Sequence, residues 1–181
     1  AFTAALLAPY STNPSTTGML AYPPQEFERL VTLLDRRGWP MMIHSIGDRA
    51  VRASLDAFAH AAAVNPATSF PKGRRHRVEH IETIDPADVP RFGTQGVIAS
   101  LHPSGWTGAA LAESLIGIWA ANLGPVRVAR FGSWAPIAAA GGPSTCARRG
   151  RPRHRSAAHW NVWPRRTAPR SHSPTSTRMA R

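Results

Sequence analysis

Two histidines, His44 and His80, each close a short run of residues suited to a β-strand, and they are the side chains best placed to do chemistry. Neutral imidazole nitrogen is a good ligand for zinc and similar divalent ions, and imidazole also serves as a general base. A lone histidine at such a position has a plainer reading as a core residue with a satisfied hydrogen bond. Two histidines at the ends of consecutive parallel strands carry more weight, because all carboxyl ends of a parallel sheet lie on one rim, where α/β barrels place their chemistry. His76 and Glu79 stand beside His80 in "RHRVEHIE" and have no role assigned by spacing, with His76 a supporting or structural residue. Asp48, four residues beyond His44, is read as a helix cap rather than a ligand.

The elements that must position this pair follow from periodicity. Pro23 and Pro24 open a helix with Glu26 and Glu28 near its positive end; Phe27, Leu30, Val31 and Leu34 share one face, and Gly38 supplies the stop. Trp39 to His44 is an apolar run between Gly38 and Gly47, read as a buried strand. From Asp48 a second helix presents Val51, Leu55, Phe58 and Ala62 on one side. Arg75–Glu82 alternates, with His76, Val78 and His80 on one face and Arg77, Glu79 and Ile81 on the other. Asp85 and Pro86 cap and start a third helix that Pro90 keeps short or kinks. "VIASL" after Gly96 is a third strand, and residues 108–140 are mostly helical with a break near Gly124–Pro125. Helix and strand alternate throughout, which predicts right-handed βαβ units and a parallel sheet.

Charge divides the 181 residues. All ten acidic residues lie between Glu26 and Glu113, whereas residues 143–181 hold ten arginines and no acid, so the net charge of +12 sits almost wholly in the tail. This tail has no Leu, Ile or Phe. It cannot bury enough apolar surface to offset its ordering entropy and is expected to be disordered. Its arginines, with Trp160 and Trp163 interleaved, would bind polyanions without sequence preference, which supplies the alternative reading of a non-enzymatic polyanion- or nucleic-acid-binding protein. No recognised nucleic-acid module is present, so no specific nucleic-acid partner is expected. The single cysteine, Cys146, excludes an internal disulfide framework and fits a reducing, cytoplasmic setting. No apolar run reaches the length of a membrane span.

The stretches "HSIGDRAVRASLDAF", "HRVEHIE" and "GVIASLHP" resemble the YtcJ-like group of the amidohydrolase superfamily (amidohydrolase 3), in the same order. The resemblance runs over residues 3–142. It implies a fragment of a metal-dependent (β/α)8 (TIM) barrel, roughly strands five to seven with their helices, in an α/β domain of residues 1–142 followed by the tail, 143–181. It further implies hydrolysis of C–N bonds in small-molecule, amide-type, non-peptide substrates by a metal-activated water, with zinc the expected divalent metal. His44 matches the ligand after strand five and His80 the ligand after strand six. No counterpart of the opening HxH pair is found; His102 stands where the family has Gln, and Gly105 where it has His. The family's last-strand Asp, the usual base, is absent: "FGSWAP" at 131–136 lacks it, so the catalytic base is unassigned and a truncated, inactive product is expected. Recognisable sequence stops at "IAAAGG", residues 137–142, where the alien composition begins, so we expect a change of reading frame near Gly142. Translation of the coding DNA across codons 138–150 in all three frames is expected to restore Gly-Ser-Asp-Trp in one of them. A partial barrel leaves open sheet edges, hence an expectation of self-association.

Overall fold

The computed structural model describes residues 2–101, 117, 119–131 and 134–143. The chain divides into the units Ala1–Arg148 and Arg149–Arg181. All the described residues belong to the first. The expectations for residues 144–181, His102 and Gly105 lie outside the described residues.

Three strands form one parallel sheet in the order β1 (Met42–Ser45), β2 (Arg77–His80), β3 (Ile98–Leu101), with His44 opposite Glu79 and Ser45 opposite His80. Helix α1 (Pro24–Arg36) begins with Pro24 in its first turn and stops before Gly38, whose φ of 74° suits a residue with no Cβ. Helix α2 (Asp48–Val64) packs on α1 and covers the sheet. Its buried arc contains Val51, Leu55 and Phe58 as expected, but ends on Ala61 rather than Ala62. Ser54, Ala57 and Ala61 turn the arc sideways, because their small side chains allow close approach of neighbouring elements.

Asp85 accepts a hydrogen bond from the Ala87 amide at 2.9 Å, which bears out the cap. The turn it caps is 3-10 (Pro86–Asp88), and α3 (Val89–Gln95) begins only afterwards. Pro90 has no N–H to close an α-helical bond onto Pro86, which accounts for the tighter first turn. Beyond β3, residues 119–123 are helical, Gly124 breaks the run at φ 75°, and α4 (Pro125–Val128) and α5 (Trp134–Ala139) follow. The chain then returns to the sheet, where the Ala99 amide donates to the Pro143 carbonyl at 2.9 Å.

The core lies between sheet and helices and includes Val51, Leu55, Phe58, Val78, Ile81, Phe92 and Ala99. Two expectations need correction here. Met42 and His44 in β1 are exposed, so Trp39–His44 is not a fully buried strand; β1 is an edge of the described sheet and one of its faces is uncovered. Ile81 belongs to the core with Val78, although strict alternation would put it on the opposite face. His80 and Ile81 have φ of 77° and 59°, and two successive left-handed residues reset the alternation.

Residues 2–22 contain no helix or strand, as expected of a loop, yet Ala4, Ala5, Leu6 and Tyr10 are buried. The GDR turn holds them. Ala5 donates to the Ile46 carbonyl at 3.0 Å, and the Arg49 amide donates to the Ala5 carbonyl at 3.1 Å. The Arg49 guanidinium donates to the Gly18 carbonyl at 3.0 Å. Asp48 does not cap α2: Gly47 occupies the cap position, and Asp48 Oδ1 accepts from the Leu7 amide at 2.8 Å. Gly47 has φ 101°, and a Cβ there would fall on the Ala5 carbonyl oxygen. Gly47→Ala is therefore expected to cost about 1–3 kcal/mol. The measurable sign is faster hydrogen exchange at the Leu7 and Arg49 amides, whose acceptors belong to this clamp.

Candidate metal centre

His44 and His80 meet at the carboxyl rim of the sheet. Their ring centroids lie 4.3 Å apart with planes at 72°. Register alone does not bring this about: His44 shares its face with Glu79, while His80 sits opposite Ser45 on the other face. The left-handed backbone at His80 swings the end of β2 and lets its ring reach His44. Non-glycine residues adopt this conformation only where the surroundings enforce it, which occurs most often at functional sites.

The His80 ring is anchored by Glu82, with Nδ1 2.9 Å from Oε1. Glu82 is buried. Glu79 is also buried and pairs with Arg77. His44 is exposed and borders a cavity of about 690 Å³ whose walls include Tyr10, Leu20, Phe27, Ile43, Ile46 and Trp119. Among the described residues no Asp, Glu, Lys or Arg lines this cavity. The segment clamped by Gly47, Asp48 and Arg49 supplies one wall, so the GDR turn shapes the site without touching its chemistry.

His76 belongs elsewhere. It precedes β2 at the opposite, amino end of the sheet, stacked on Phe58 at 4.6 Å and edge-on to Phe70 at 5.4 Å. Its Nε2 lies 2.8 Å from Asp35 Oδ1, and its Nδ1 accepts from the Met41 amide at 3.2 Å. One neutral tautomer satisfies both contacts. Burial is the strongest influence on this ring and holds its pKa below the ordinary histidine value, against the opposing pull of Asp35. Asp35 is fully buried and also accepts from Arg74 at 2.8 and 3.1 Å and from Asn65 at 2.9 Å. Burial, the largest effect, raises its pKa; the bonds from Arg74, His76 and Asn65 outweigh burial and leave the carboxyl below its ordinary range. This cluster closes the bottom of the sheet and serves stability. Sequence reasoning missed Asp35 and Glu82. Only Glu82 carried a local signal, its spacing of two residues from a candidate ligand.

The donor chemistry fits a divalent ion. Two imidazoles converge, and one of them is hydrogen-bonded through Nδ1 to a carboxylate, the usual support of a ligating histidine. Among the described residues no group of three His, Cys, Asp or Glu is arranged to hold an ion. Even an open catalytic zinc site normally has three protein ligands, and the described residues bring two imidazoles together.

The described residues thus form an α/β unit whose small parallel sheet brings two histidines together at its carboxyl rim. Residues 1–137 match the amidohydrolase family model, and the chain belongs to that family. It is 31% identical over 94 residues to Protein LONG AFTER FAR-RED 3 of Arabidopsis thaliana, covering 52% of this chain and 15% of that protein. It is 28% identical over 101 residues to the putative amidohydrolase YtcJ of Bacillus subtilis (strain 168), covering 56% of this chain and 18% of that protein. Among solved structures, an uncharacterized metal-dependent hydrolase from Pyrococcus furiosus shares the fold at TM-score 0.62 and 24% identity, over 79% of this chain and 26% of that one. A second, from Pyrococcus horikoshii OT3, matches at TM-score 0.57 and 26% identity, over 81% of this chain and 27% of that one. The matched regions span less than a fifth of these curated relatives and about a quarter of the solved chains. Among the described residues no helix is long and apolar enough to cross a membrane.

Proposed function

We propose that the chain is a portion of a metal-dependent hydrolase of amide-type C–N bonds in small molecules, with His44 and His80 as two of the ligands of a divalent ion, zinc by preference. The convergence of the two rings at 4.3 Å carries this reading. The chemistry such a centre supplies is Lewis-acid activation of water and of an amide carbonyl. His44 and His80 would hold the ion through ring nitrogens, and Glu82 supports His80. The apolar cavity beside His44 takes an uncharged, apolar part of the substrate and excludes water from it. With two ligands and no assigned base, the chain by itself is expected to give no turnover.

The direct test is zinc titration of the full chain alongside assay of N-acyl amides bearing aliphatic or aryl groups. Zinc binding that depends on both histidines, without turnover, is the expected result. Binding indifferent to either histidine sinks the metal reading, and turnover sinks the expectation of inactivity.

The second reading, non-specific polyanion binding, is favoured by the ten arginines of residues 143–181. Deleting those residues is expected to abolish salt-sensitive binding of a polyanion such as heparin and to leave zinc binding unchanged. A cytoplasmic setting fits the single cysteine.

The open edge of β1 points to a second copy of the chain as a protein partner. β1 pairs only with β2 among the described strands, and Trp39 and Met42, each 61% exposed, flank the open edge. Unpaired edge amides and carbonyls beside apolar side chains invite strand addition. Sedimentation velocity is expected to show concentration-dependent oligomers that Met42→Lys suppresses. A monodisperse monomer over the whole concentration range contradicts this expectation.

A further inference from the structure

The left-handed turn at His80–Ile81 has two effects on its surroundings. It carries Ile81 into the core, and it brings Glu82 back to His80, with Oε1 2.9 Å from Nδ1. The conformation is unfavourable for any residue with a Cβ and especially for β-branched isoleucine. Glu82 is only 5% exposed, and its second oxygen, Oε2, has no hydrogen-bond partner among the described residues. A buried carboxylate oxygen left unpaired is itself destabilising. Two costly features, a strained backbone pair and a half-satisfied carboxylate, converge on one imidazole. Burial of Ile81 offsets part of the backbone strain, but it does not account for the half-satisfied carboxylate beside His80.

We propose that Glu82 is the positioning residue of His80: it accepts a hydrogen bond from Nδ1–H, fixes the ring's tautomer, and thereby makes Nε2 the nitrogen presented to a divalent ion shared with His44. The proposal rests on the reading of His80 as a ligand. Glu82 acts through the ring and is not a third ligand, since among the described residues no three such groups are arranged around one ion. Support of this kind sets ring orientation and ligand basicity, and its removal typically weakens metal affinity by about 10–100-fold.

The test begins without metal. Long-range proton–nitrogen correlation spectra of the full chain report which ring nitrogen of each histidine carries the proton. The His80 signals are identified by their loss in His80→Asn. Wild type is expected to show His80 protonated on Nδ1. Glu82→Gln, which keeps an acceptor oxygen in place, is expected to retain that tautomer, and Glu82→Leu to lose it. Zinc titration against a chromophoric competitor should then weaken about 10–100-fold in Glu82→Leu and change only a few-fold in Glu82→Gln. A wild-type His80 protonated on Nε2, or a folded Glu82→Leu that keeps both tautomer and zinc affinity, overturns the proposal. If Glu82→Leu does not fold, the wild-type tautomer decides. An Nδ1 tautomer in a chain whose zinc affinity ignores His80→Ala supports the Glu82–His80 pairing and overturns the ligand reading, so the two failures are told apart.

Discussion

Asp35→Ala is expected to lower the unfolding free energy by about 3–5 kcal/mol, the usual consequence of removing one partner from a buried ionic cluster. Domains of this size are stable by only about 5–15 kcal/mol, so the loss is a large share of the total. Asp35 is fully buried and receives hydrogen bonds from Arg74, His76 and Asn65. Without it the Arg74 guanidinium keeps the Asn65 and Pro66 carbonyls and the Phe70 ring face, and the Nε2–H of His76 loses its acceptor while buried. Denaturant unfolding of the two chains measures the difference. A change under about 1 kcal/mol would mean that the cluster relaxes onto water, as an exposed pair does.

The same cluster sets a pH dependence with a definite sign. The pKa of His76 is lowered in the folded chain, chiefly by burial, so the unfolded chain takes up its proton first as pH falls. Stability is therefore fully present above the unfolded value of about 6.5 and declines as pH drops below it towards the folded pKa. Asp35, lowered in spite of burial by its three partners, acts in the same direction at lower pH, where the unfolded carboxyl protonates first. Urea midpoints should thus fall on mild acidification. His76→Phe, which keeps the stacking, should remove the part of the decline that begins near neutrality.

The second large effect concerns the rim. His44→Ala and His80→Ala should each weaken zinc binding by at least about 100-fold, the upper range for loss of a mere outer-sphere partner. The double variant should bind no more weakly than either single one. Two ligands that act only together give strongly non-additive losses, whereas two independent surface histidines give additive ones. A double-mutant cycle read by competitive zinc titration distinguishes these outcomes. Additive, small losses would return both residues to the reading of ordinary strand-end histidines.

Much of the architecture was legible in the sequence because it is encoded locally. Pro24 and Gly38 bracket α1, Asp85 caps its turn, and the apolar spacing of Val51, Leu55 and Phe58 marks the inner face of α2. The order of helix and strand predicted a parallel sheet, and that sheet placed the ends of β1 and β2 on one rim. The choice of His44 and His80 as candidate ligands rested on that order together with the family resemblance.

What only the tertiary structure decided involves residues far apart in sequence, or backbone angles that composition does not encode. Strand periodicity put Ile81 with Glu79; two left-handed residues placed it in the core and turned His80 to His44. Asp48 has the composition of a cap, yet its carboxylate holds Leu7, 41 positions away, because Gly47 lets the loop come close. Asp35, Asn65, Arg74 and His76 look unrelated along the chain, and they form one cluster because α1, α2 and the approach to β2 meet at the amino end of the sheet. Periodicity fixes which side of an element is apolar; which surfaces then meet, and which polar groups they trap between them, is settled by packing of the whole.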